Sequence, residues 1–133
     1  MAASQTLTKI IDGSKRQVLH VAILSDGDEL TNSIIYNFSD DTTLTGDTTA
    51  AKIKIDQVWF QNPSAAGQLF IRFDGTTDKI ACGSGFNGNS HQDFRSFGGI
   101  TNNAASPTGD ITVTTLGLAN PDQAVVILDI KKC

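Results

Sequence analysis

The strongest constraint on the fold of this chain is that it has almost no helical periodicity. Glycine or proline interrupts most windows, and β-branched residues dominate the segments between them. Turn signals such as Asp12-Gly13, Asn62-Pro63 and Asn120-Pro121 separate these segments at short intervals. Strands are predicted at residues 6–11, 16–25, 33–38, 51–61, 68–73, 92–96, 110–116 and 123–131. The pattern predicts an all-β fold, a single-domain antiparallel β-sandwich that is jelly-roll-like and has about eight strands.

Length and composition favour one domain made of strands and turns. A chain of 133 residues is long enough to bury one hydrophobic core. Charged residues make up only 18% of the chain, so its polar surface consists mainly of Thr, Ser, Asn, Asp and Gly, which suit exposed strand faces and turns. We expect residues 1–11 to form an N-terminal arm or edge strand and residues 12–133 to form the β-sandwich domain.

The charge pattern argues against two classes of partner. The formal net charge is −4, and Lys and Arg do not cluster into the basic footprint that nucleic-acid binding needs. The apolar runs are shorter than the roughly 18–20 residues that cross a bilayer. The N-terminus also lacks a charged stretch followed by a long apolar one, so we expect no signal peptide. The sequence therefore predicts no nucleic-acid partner and no membrane partner.

The chain contains no motif typical of catalysis, metal binding or a cofactor. His20 and His91 are isolated, and neither lies at metal-ligand spacing from Cys82 or Cys133. The two cysteines are expected to be free thiols. His20 is flanked by apolar residues on a predicted strand and is expected to be half-buried and structural. We therefore expect no catalytic residue, no metal site and no cofactor, in a protein that is not an enzyme.

Acidic clusters leave calcium binding open as an alternative. Three sets of residues could offer oxygen ligands to Ca²⁺: Asp26, Asp28 and Glu29; Asp40, Asp41 and Asp47; and Asp74 with Asp78. None of these sets follows the spacing of an EF-hand loop. Aspartate side chains also accept backbone N–H bonds in tight turns, and this is the role that we expect for them.

The strand predicted at residues 51–61 carries the only tryptophan of the chain. Strict alternation places Ile53, Ile55 and Trp59 on one face of this strand. Large aromatic side chains contribute much of the buried area of protein cores. The pattern therefore predicts that Trp59 is a core residue and not an exposed platform for a ligand.

The segment from residue 93 to residue 117, DFRSFGGITNNAASPTGDITVTTLG, predicts a strand, an irregular loop and a second strand. Phe94 and Phe97 are expected to anchor the base of the loop in the core. The glycine pair at 98–99 and the asparagine pair at 102–103 are expected to shape the loop. Ile100 is its one large apolar residue, and it is the candidate for a protein–protein contact.

Motifs spread over residues 11–132 resemble those of a family of small virion proteins of tailed bacteriophages. These are the jelly-roll decoration, or cement, proteins, which sit on the outside of the capsid. The motifs are QVLHVAILSDGDE (17–29), VWF (58–60), LFIRFD (69–74), FGGI (97–100), NN (102–103), TGDI (108–111) and TT (114–115). The chain departs from the family at its short turn 26–28 and at Phe73, where tryptophan is usual.

This resemblance implies a non-enzymatic structural protein of the virion, made in the host bacterial cytoplasm and located on the outer capsid surface. Such a protein stabilises the phage head by bridging capsomers. The implied partners are the phage major capsid protein and the chain itself, as a homotrimer. The residues expected to contact the capsid or another subunit are Leu7, Ile10, Phe97, Ile100, Asn102 and Asn103.

Two other functions remain open for the same sequence. One is a carbohydrate-binding β-sandwich module of a phage tail or fibre, for which the acidic loops and Trp59 are the basis. An exposed Trp59 favours this function, and a buried Trp59 counts against it. The other is a metal-dependent jelly roll of the cupin type. That function needs clustered histidines with a carboxylate, which two distant histidines do not supply.

Overall fold

The fold is that of a computed structural model, described for residues 4–13, 15–24, 33–41, 44, 49–62, 67–84, 89–102, 104–116 and 123–132. These residues form nine strands: β1 (Ser4–Asp12), β2 (Arg16–Leu24), β3 (Ser33–Tyr36), β4 (Lys54–Gln61), β5 (Gln68–Phe73), β6 (Lys79–Ser84), β7 (Asn89–Asp93), β8 (Ile111–Leu116) and β9 (Gln123–Lys131). Short 3₁₀ turns lie at Phe38–Asp40, Ala50–Lys52 and Arg95–Phe97. All strand pairs are antiparallel, and the predicted all-β sandwich is confirmed.

The strand order identifies the sandwich as a jelly roll. One sheet has the order β1-β2-β9-β4-β7, and the other has the order β3-β8-β5-β6. Strands pair in a nested way from the outside of the sequence inward: β2 with β9, β3 with β8, β4 with β7, and β5 with β6. This nesting wraps eight strands into two facing sheets, as in a jelly roll. The ninth strand, β1, is added at the edge of the first sheet and pairs with β2.

The hydrophobic core lies between the inner faces of the two sheets. In β5, Leu69, Ile71 and Phe73 are fully buried, whereas Phe70 and Arg72 between them are half-exposed. This alternation is what a strand shows when one face meets the core and the other faces away. The facing sheet contributes Leu19, Val21 and Ile23 from β2 and Val126, Leu128 and Ile130 from β9.

A β-bulge in β4 makes the prediction for Trp59 wrong. The pairing of β4 with β9 shifts between Ile55 and Gln57, which leaves Asp56 as an extra residue. Because strand side chains alternate with a period of two, one extra residue moves every later side chain to the opposite face. Val58 is therefore buried in the core, and Trp59 is half-buried on the outer face of the sheet.

Two strands differ from the prediction. β6 was not expected, because only Cys82 and Ser84 of its six residues are buried and no apolar alternation marks it. β7 ends at Asp93, whereas a strand was predicted at residues 92–96. The residues of β7 are polar, and pairing with β4 rather than β-propensity makes them a strand.

Candidate functional site

Trp59 and His91 form an aromatic stack on the outer face of the five-stranded sheet. The two residues lie directly opposite each other in the pairing of β4 with β7. Their ring centroids are 4.6 Å apart and their planes differ by 3°. The stack covers one face of the indole ring, which restricts the orientation of Trp59.

A groove lies on the other side of Trp59, with a volume of about 450 Å³. It is lined by Ile11, Arg16, Val18, Trp59, Phe60, Gln61, Val125 and Ile127. These residues belong to β1, β2, β4 and β9, whereas His91 lies on β7 at the far edge of the sheet. Trp59 therefore has one face toward His91 and the other toward the groove. The groove is mainly apolar, and Arg16 and Gln61 supply its polar side chains.

A chain of hydrogen bonds holds His91 behind Trp59. Arg16 donates from Nε and Nη2 to the two carboxylate oxygens of Asp129, at 2.8 Å each. Gln57 donates from Nε2 to Asp129 Oδ2 at 2.9 Å. Because a carboxylate only accepts, the amide nitrogen of Gln57 faces Asp129 and its oxygen faces His91. The 2.9 Å contact between Gln57 Oε1 and His91 Nε2 then requires a proton on that ring nitrogen.

The charge at the centre of this network is buried. The side chain of Asp129 is 1% exposed, and that of its partner Arg16 is about half exposed. The hydrogen bond to Asp129 raises the pKa of Arg16 above its ordinary value. At the bulge, burial raises the pKa of Asp56, and the nearby charge of Asp129 adds to the effect. Paired in this way, the buried polar groups favour one arrangement of the side chains behind Trp59.

A cleft opens at the opposite edge of this sheet, between β1 and β3. The first sheet has one strand more than the second, so β1 extends beyond the sheet that faces it. Leu7 lies opposite the core residue Val21 and therefore faces inward, yet it is 44% exposed. The cleft has a volume of about 180 Å³. It is lined by Leu7, Lys9, Gln17, Leu19, Ile35, Tyr36, Asn37, Asp40 and Asp41.

Two buried glutamine oxygens on β1 and β2 have no hydrogen-bond partner, and the one on β2 lies in this cleft. Gln17 is 2% exposed and lines the cleft, and its Oε1 is unpaired. The Oε1 of Gln5 is also buried and unpaired, while its Nε2 donates to the carbonyl oxygen of Ile34 in β3 at 2.9 Å. A buried acceptor without a donor costs about 1–3 kcal/mol. The cleft therefore has hydrogen-bonding capacity that the described part of the chain does not use.

An ion pair is buried beside the same cleft. Lys132 Nζ lies 2.6 Å from Asp41 Oδ2, and the Tyr36 hydroxyl donates to that oxygen at 2.7 Å. The ammonium group also lies 5.9 Å from the centroid of the Tyr36 ring. Sequence reasoning missed this pair, because a lysine beside Lys131 is normally solvated and Asp41 was expected in a turn.

The loop after β7 presents Phe97 to solvent. Phe97 is 68% exposed, so the prediction that it anchors the loop in the core is wrong. Phe94, whose ring centroid is 6.0 Å away, packs against the core. The turn at Arg95–Phe97 ends in Gly98, which has a left-handed backbone with φ of 87°. This reversal directs the chain back to the sheet and leaves the Phe97 side chain outside.

Ile100 and Asn102 hold this loop to the sandwich. Ile100 is half-buried against the core, and its backbone exchanges hydrogen bonds with Ile55 at 2.8 and 3.3 Å. Asn102 is buried, and its side chain bonds to two backbone groups. Asn103 lies outside the described residues. Among the predicted contact residues of the loop, Phe97 is therefore the one that the described structure presents to a partner.

Acidic side chains in the described turns hold nearby donors, as their turn role requires. Asp78 Oδ1 accepts from the backbone nitrogen of Gly75 at 3.2 Å, and Asp74 Oδ2 accepts from Thr108 Oγ1 at 2.9 Å. Asp26, Asp28, Glu29 and Asp47 lie outside the described residues. Within the described ranges, no group of three or more His, Cys, Asp or Glu is placed to hold a metal ion.

Two further residues with reactive side chains lie on strands of the sandwich. His20 is half-buried on β2, as predicted. Cys82 is a buried free thiol, and burial raises its pKa to about 12. At neutral pH it therefore stays in the thiol form, which is a poor nucleophile. Cys133 lies outside the described residues. In the part of the chain that the structure describes, no helix is long and apolar enough to span a membrane.

Comparison with known proteins identifies no relative: no family model matches the chain, and no curated protein and no solved structure matches it either.

Proposed function

We propose that this chain is a capsid decoration protein, a non-enzymatic virion protein that binds the outer surface of a tailed-phage capsid and bridges capsomers. The resemblance of its motifs to this family supports the proposal. The observation that carries it is the apolar surface of the edge strand β1. Eight large apolar side chains are exposed in the described residues, and three of them, Leu7, Ile10 and Ile11, lie on β1. Leu7 lines the cleft and Ile11 lines the groove on the outer face, so β1 exposes apolar side chains on both of its faces. Exposed apolar residues concentrated on one edge strand mark an interaction surface.

The backbone of β1 adds to this surface. β1 pairs with β2 on one side and forms the edge of its sheet on the other. A register shift between Lys9 and Ile11 marks a bulge at Ile10, which is exposed. An edge strand can accept an extended segment of another protein through main-chain hydrogen bonds, while neighbouring side chains give specificity.

Phe97 supplies a second contact region at the other side of the molecule. It follows β7, the strand at the edge opposite β1 in the same sheet. Four strand spacings of about 4.8 Å place the two edges roughly 19 Å apart. A rigid sandwich with an apolar contact region at each edge is suited to bridging two neighbouring subunits.

The implied partners are the major capsid protein and further copies of this chain, as a homotrimer. A trimer would offer each contact region three times to a symmetric lattice. Multivalent attachment strengthens binding without any new type of contact. Stable protein interfaces bury about 1,200–2,000 Å² in total, which two edge regions used together can approach more readily than one.

Binding to undecorated capsids of the phage that encodes the chain tests the proposal. The purified chain should co-sediment with these capsids, and mass spectrometry of virions should find it in amounts comparable to the major capsid protein. Ile10→Asp and Phe97→Asp should each weaken binding about thirtyfold, the effect of losing an interface residue worth about 2 kcal/mol.

Ile80→Asp is the matched control for both variants. Ile80 is an exposed isoleucine on β6, in the other sheet. All three variants should melt at temperatures close to that of the parent chain, because the altered side chains are exposed. Virions without the chain, or capsids that do not bind it, contradict the proposed function.

A carbohydrate-binding module is the second candidate, and the position of Trp59 favours it. The indole lies on the outer face with one side toward a groove, which is the exposure that this function needs. The electron-rich face of an indole attracts the polarised C–H groups on one side of a pyranose ring. Arg16 and Gln61 offer hydrogen-bond donors at the groove for sugar hydroxyls.

A glycan array together with tryptophan fluorescence separates the two candidates. Trp59 is the only tryptophan, so the emission of the chain reports on this residue alone. A saccharide in the groove should change the emission, and Trp59→Ala should abolish binding, whereas Phe97→Ala should not. Silence across the array, with unchanged emission in millimolar methyl glycosides, removes this candidate.

A further inference from the structure

We infer that the cleft between β1 and β3 receives an extended peptide segment of the capsid partner, which adds as a fifth strand beside β3. The inference rests on the proposed function, and it assigns the surface and the form of the partner segment. β3 is the edge of the four-stranded sheet, and β1 overhangs it from the facing sheet. One further strand beside β3 would give the two sheets equal numbers and cover the inward-facing Leu7.

The size of the cleft favours a peptide over a small-molecule ligand. Sites for cofactors and drug-sized ligands usually measure about 300–1,000 Å³. This cleft measures about 180 Å³, so it accepts roughly one side chain. Leu7, Leu19 and Ile35 supply apolar contacts for that side chain. Because the cleft is open beside an edge strand, the main chain of the segment can remain outside it.

The positions of the two unpaired glutamine oxygens indicate how long the partner segment is. Gln5 lies opposite Ile23 in the pairing of β1 with β2, and Gln17 lies on β2 itself. Positions 17 and 23 are six residues apart, which is about 20 Å along a strand at 3.3 Å per residue. An extended segment of about six residues reaches both ends. Gln5 Oε1 lies in the same amide group that bonds the Ile34 carbonyl of β3, so it can accept from a main-chain N–H of the segment. Gln17 Oε1 lies inside the cleft, where a side chain of the segment with an N–H or O–H group can donate to it.

The charges beside the cleft favour a neutral donor. Asp41 is paired with the buried Lys132, so this carboxylate is already balanced. The other two charged residues of the lining, Lys9 and Asp40, have opposite signs. The lining therefore has no excess charge to attract an ionic ligand. An uncharged N–H or O–H donor matches both the unpaired oxygens and the balanced charge.

Hydrogen–deuterium exchange on the full chain, free and bound to undecorated capsids of the same phage, tests the inference. Binding should slow amide exchange in β3 (Ser33–Tyr36) by at least about tenfold, because its free edge becomes hydrogen-bonded. Gln17→Leu should weaken capsid binding about three- to tenfold through the lost hydrogen bond. The same variant should melt at the parent temperature or higher, because it removes an unpaired buried acceptor.

Gln68→Leu, on the outer face of β5 in the four-stranded sheet, is the matched control and should leave binding unchanged. If the parent chain binds capsids, but β3 exchanges at its free rate and Gln17→Leu binds normally, the inference is wrong and the proposed function stands. If the parent chain does not bind capsids, the proposed function fails first. If β3 becomes protected in the chain alone as its concentration rises, a second copy occupies the cleft, and the capsid segment is the wrong occupant.

Discussion

The outer face around Trp59 and the cleft beside β3 treat buried polar groups in opposite ways. Behind Trp59, the buried Asp129 is bonded by Arg16 and Gln57, and Gln57 in turn bonds His91. At the cleft, Gln17 is equally buried, but its amide oxygen has no partner. The first arrangement stabilises the isolated chain, whereas the second costs it free energy.

On the outer face around Trp59, the buried polar groups are hydrogen-bonded within the single chain. In the cleft beside β3, a buried acceptor lacks a donor in the single chain. The paired network holds Trp59 in one orientation whether or not a ligand is present. The unpaired oxygen of Gln17 in the cleft gains a partner only when a donor enters the cleft. A folded chain tolerates such a cost where binding recovers it, which is why the cleft and not the groove is assigned to the protein partner.

The largest expected effect concerns the ion pair beside the cleft. Lys132→Met leaves the carboxylate of Asp41 buried without its cation, and should destabilise the fold by about 3–5 kcal/mol. Replacing both partners, as in Lys132→Met with Asp41→Leu, should recover most of this loss, because neither charge then remains buried. Urea denaturation of the parent, the single variant and the double variant measures both effects.

A loss below about 1 kcal/mol in Lys132→Met would show that water reaches Asp41 in the folded chain, since surface ion pairs have effects of that size. Water would then fill the cleft to its base, and the Oε1 of Gln17 would accept a hydrogen bond from it. The cleft would then no longer differ from the outer face in having an unpaired buried acceptor.

Variants of Gly98 and Gly99 test the other region of the comparison, the outer face around Trp59. Gly99 has φ of 92°, and a Cβ there would lie 2.9 Å from Asp56 Oδ1 and 3.0 Å from the Ile55 carbonyl oxygen. Gly98 has φ of 87°, but a Cβ there meets nothing within 4 Å. A left-handed backbone costs an L-residue about 1–2 kcal/mol. Gly98→Ala should therefore cost about 1 kcal/mol, and Gly99→Ala about 2–3 kcal/mol through the added clash.

Only Gly99→Ala should also alter the fluorescence of Trp59. Gly99 packs against Asp56, the extra residue of the bulge that turns Trp59 to the outer face. Thermal melts give the stability of both variants, and emission spectra report on the indole. Equal losses with equal spectra would mean that the loop does not support the bulge.

The sequence was sufficient to predict the fold but not the candidate sites. Turn residues and β-branched segments were enough for the jelly-roll sandwich, because those signals are local. The orientation of Trp59 was missed because one bulge residue, Asp56, reverses the alternation, and a bulge is set by pairing with β9. The unpaired oxygen of Gln17 and the burial of Lys132 depend on which strands meet at one edge, and no local pattern encodes that.

A smaller effect is expected where the outer-face network is broken. Asp129→Asn removes the charge that receives two hydrogen bonds from Arg16, and should cost about 1.5 kcal/mol. The amide can also turn its nitrogen toward Gln57, which frees His91 and loosens its stack on Trp59. Urea denaturation and Trp59 emission measure the two consequences. Unchanged emission would show that the stack alone orients the indole.

The last effect is absent at neutral pH and appears only above pH 9. It compares the two edges of the four-stranded sheet, since β6 is the edge opposite β3. On β6, burial raises the pKa of Cys82 from 9.0 to about 12. A raised pKa means that the folded chain holds the proton more tightly than the unfolded chain. This contribution to stability is therefore complete below pH 9 and is lost as the pH rises from 9 toward 12.

Within that range, the parent should lose about 1.4 kcal/mol per pH unit more than Cys82→Ala, which has no thiol to ionise. Urea denaturation of both chains from about pH 8 to about pH 11 gives this difference, and the other titrating groups cancel in it. Equal slopes would show that the thiolate forms in the folded chain. Water would then reach the β6 edge of the four-stranded sheet as well as the β3 edge. Exposure to water would then not be a property of the β3 edge alone.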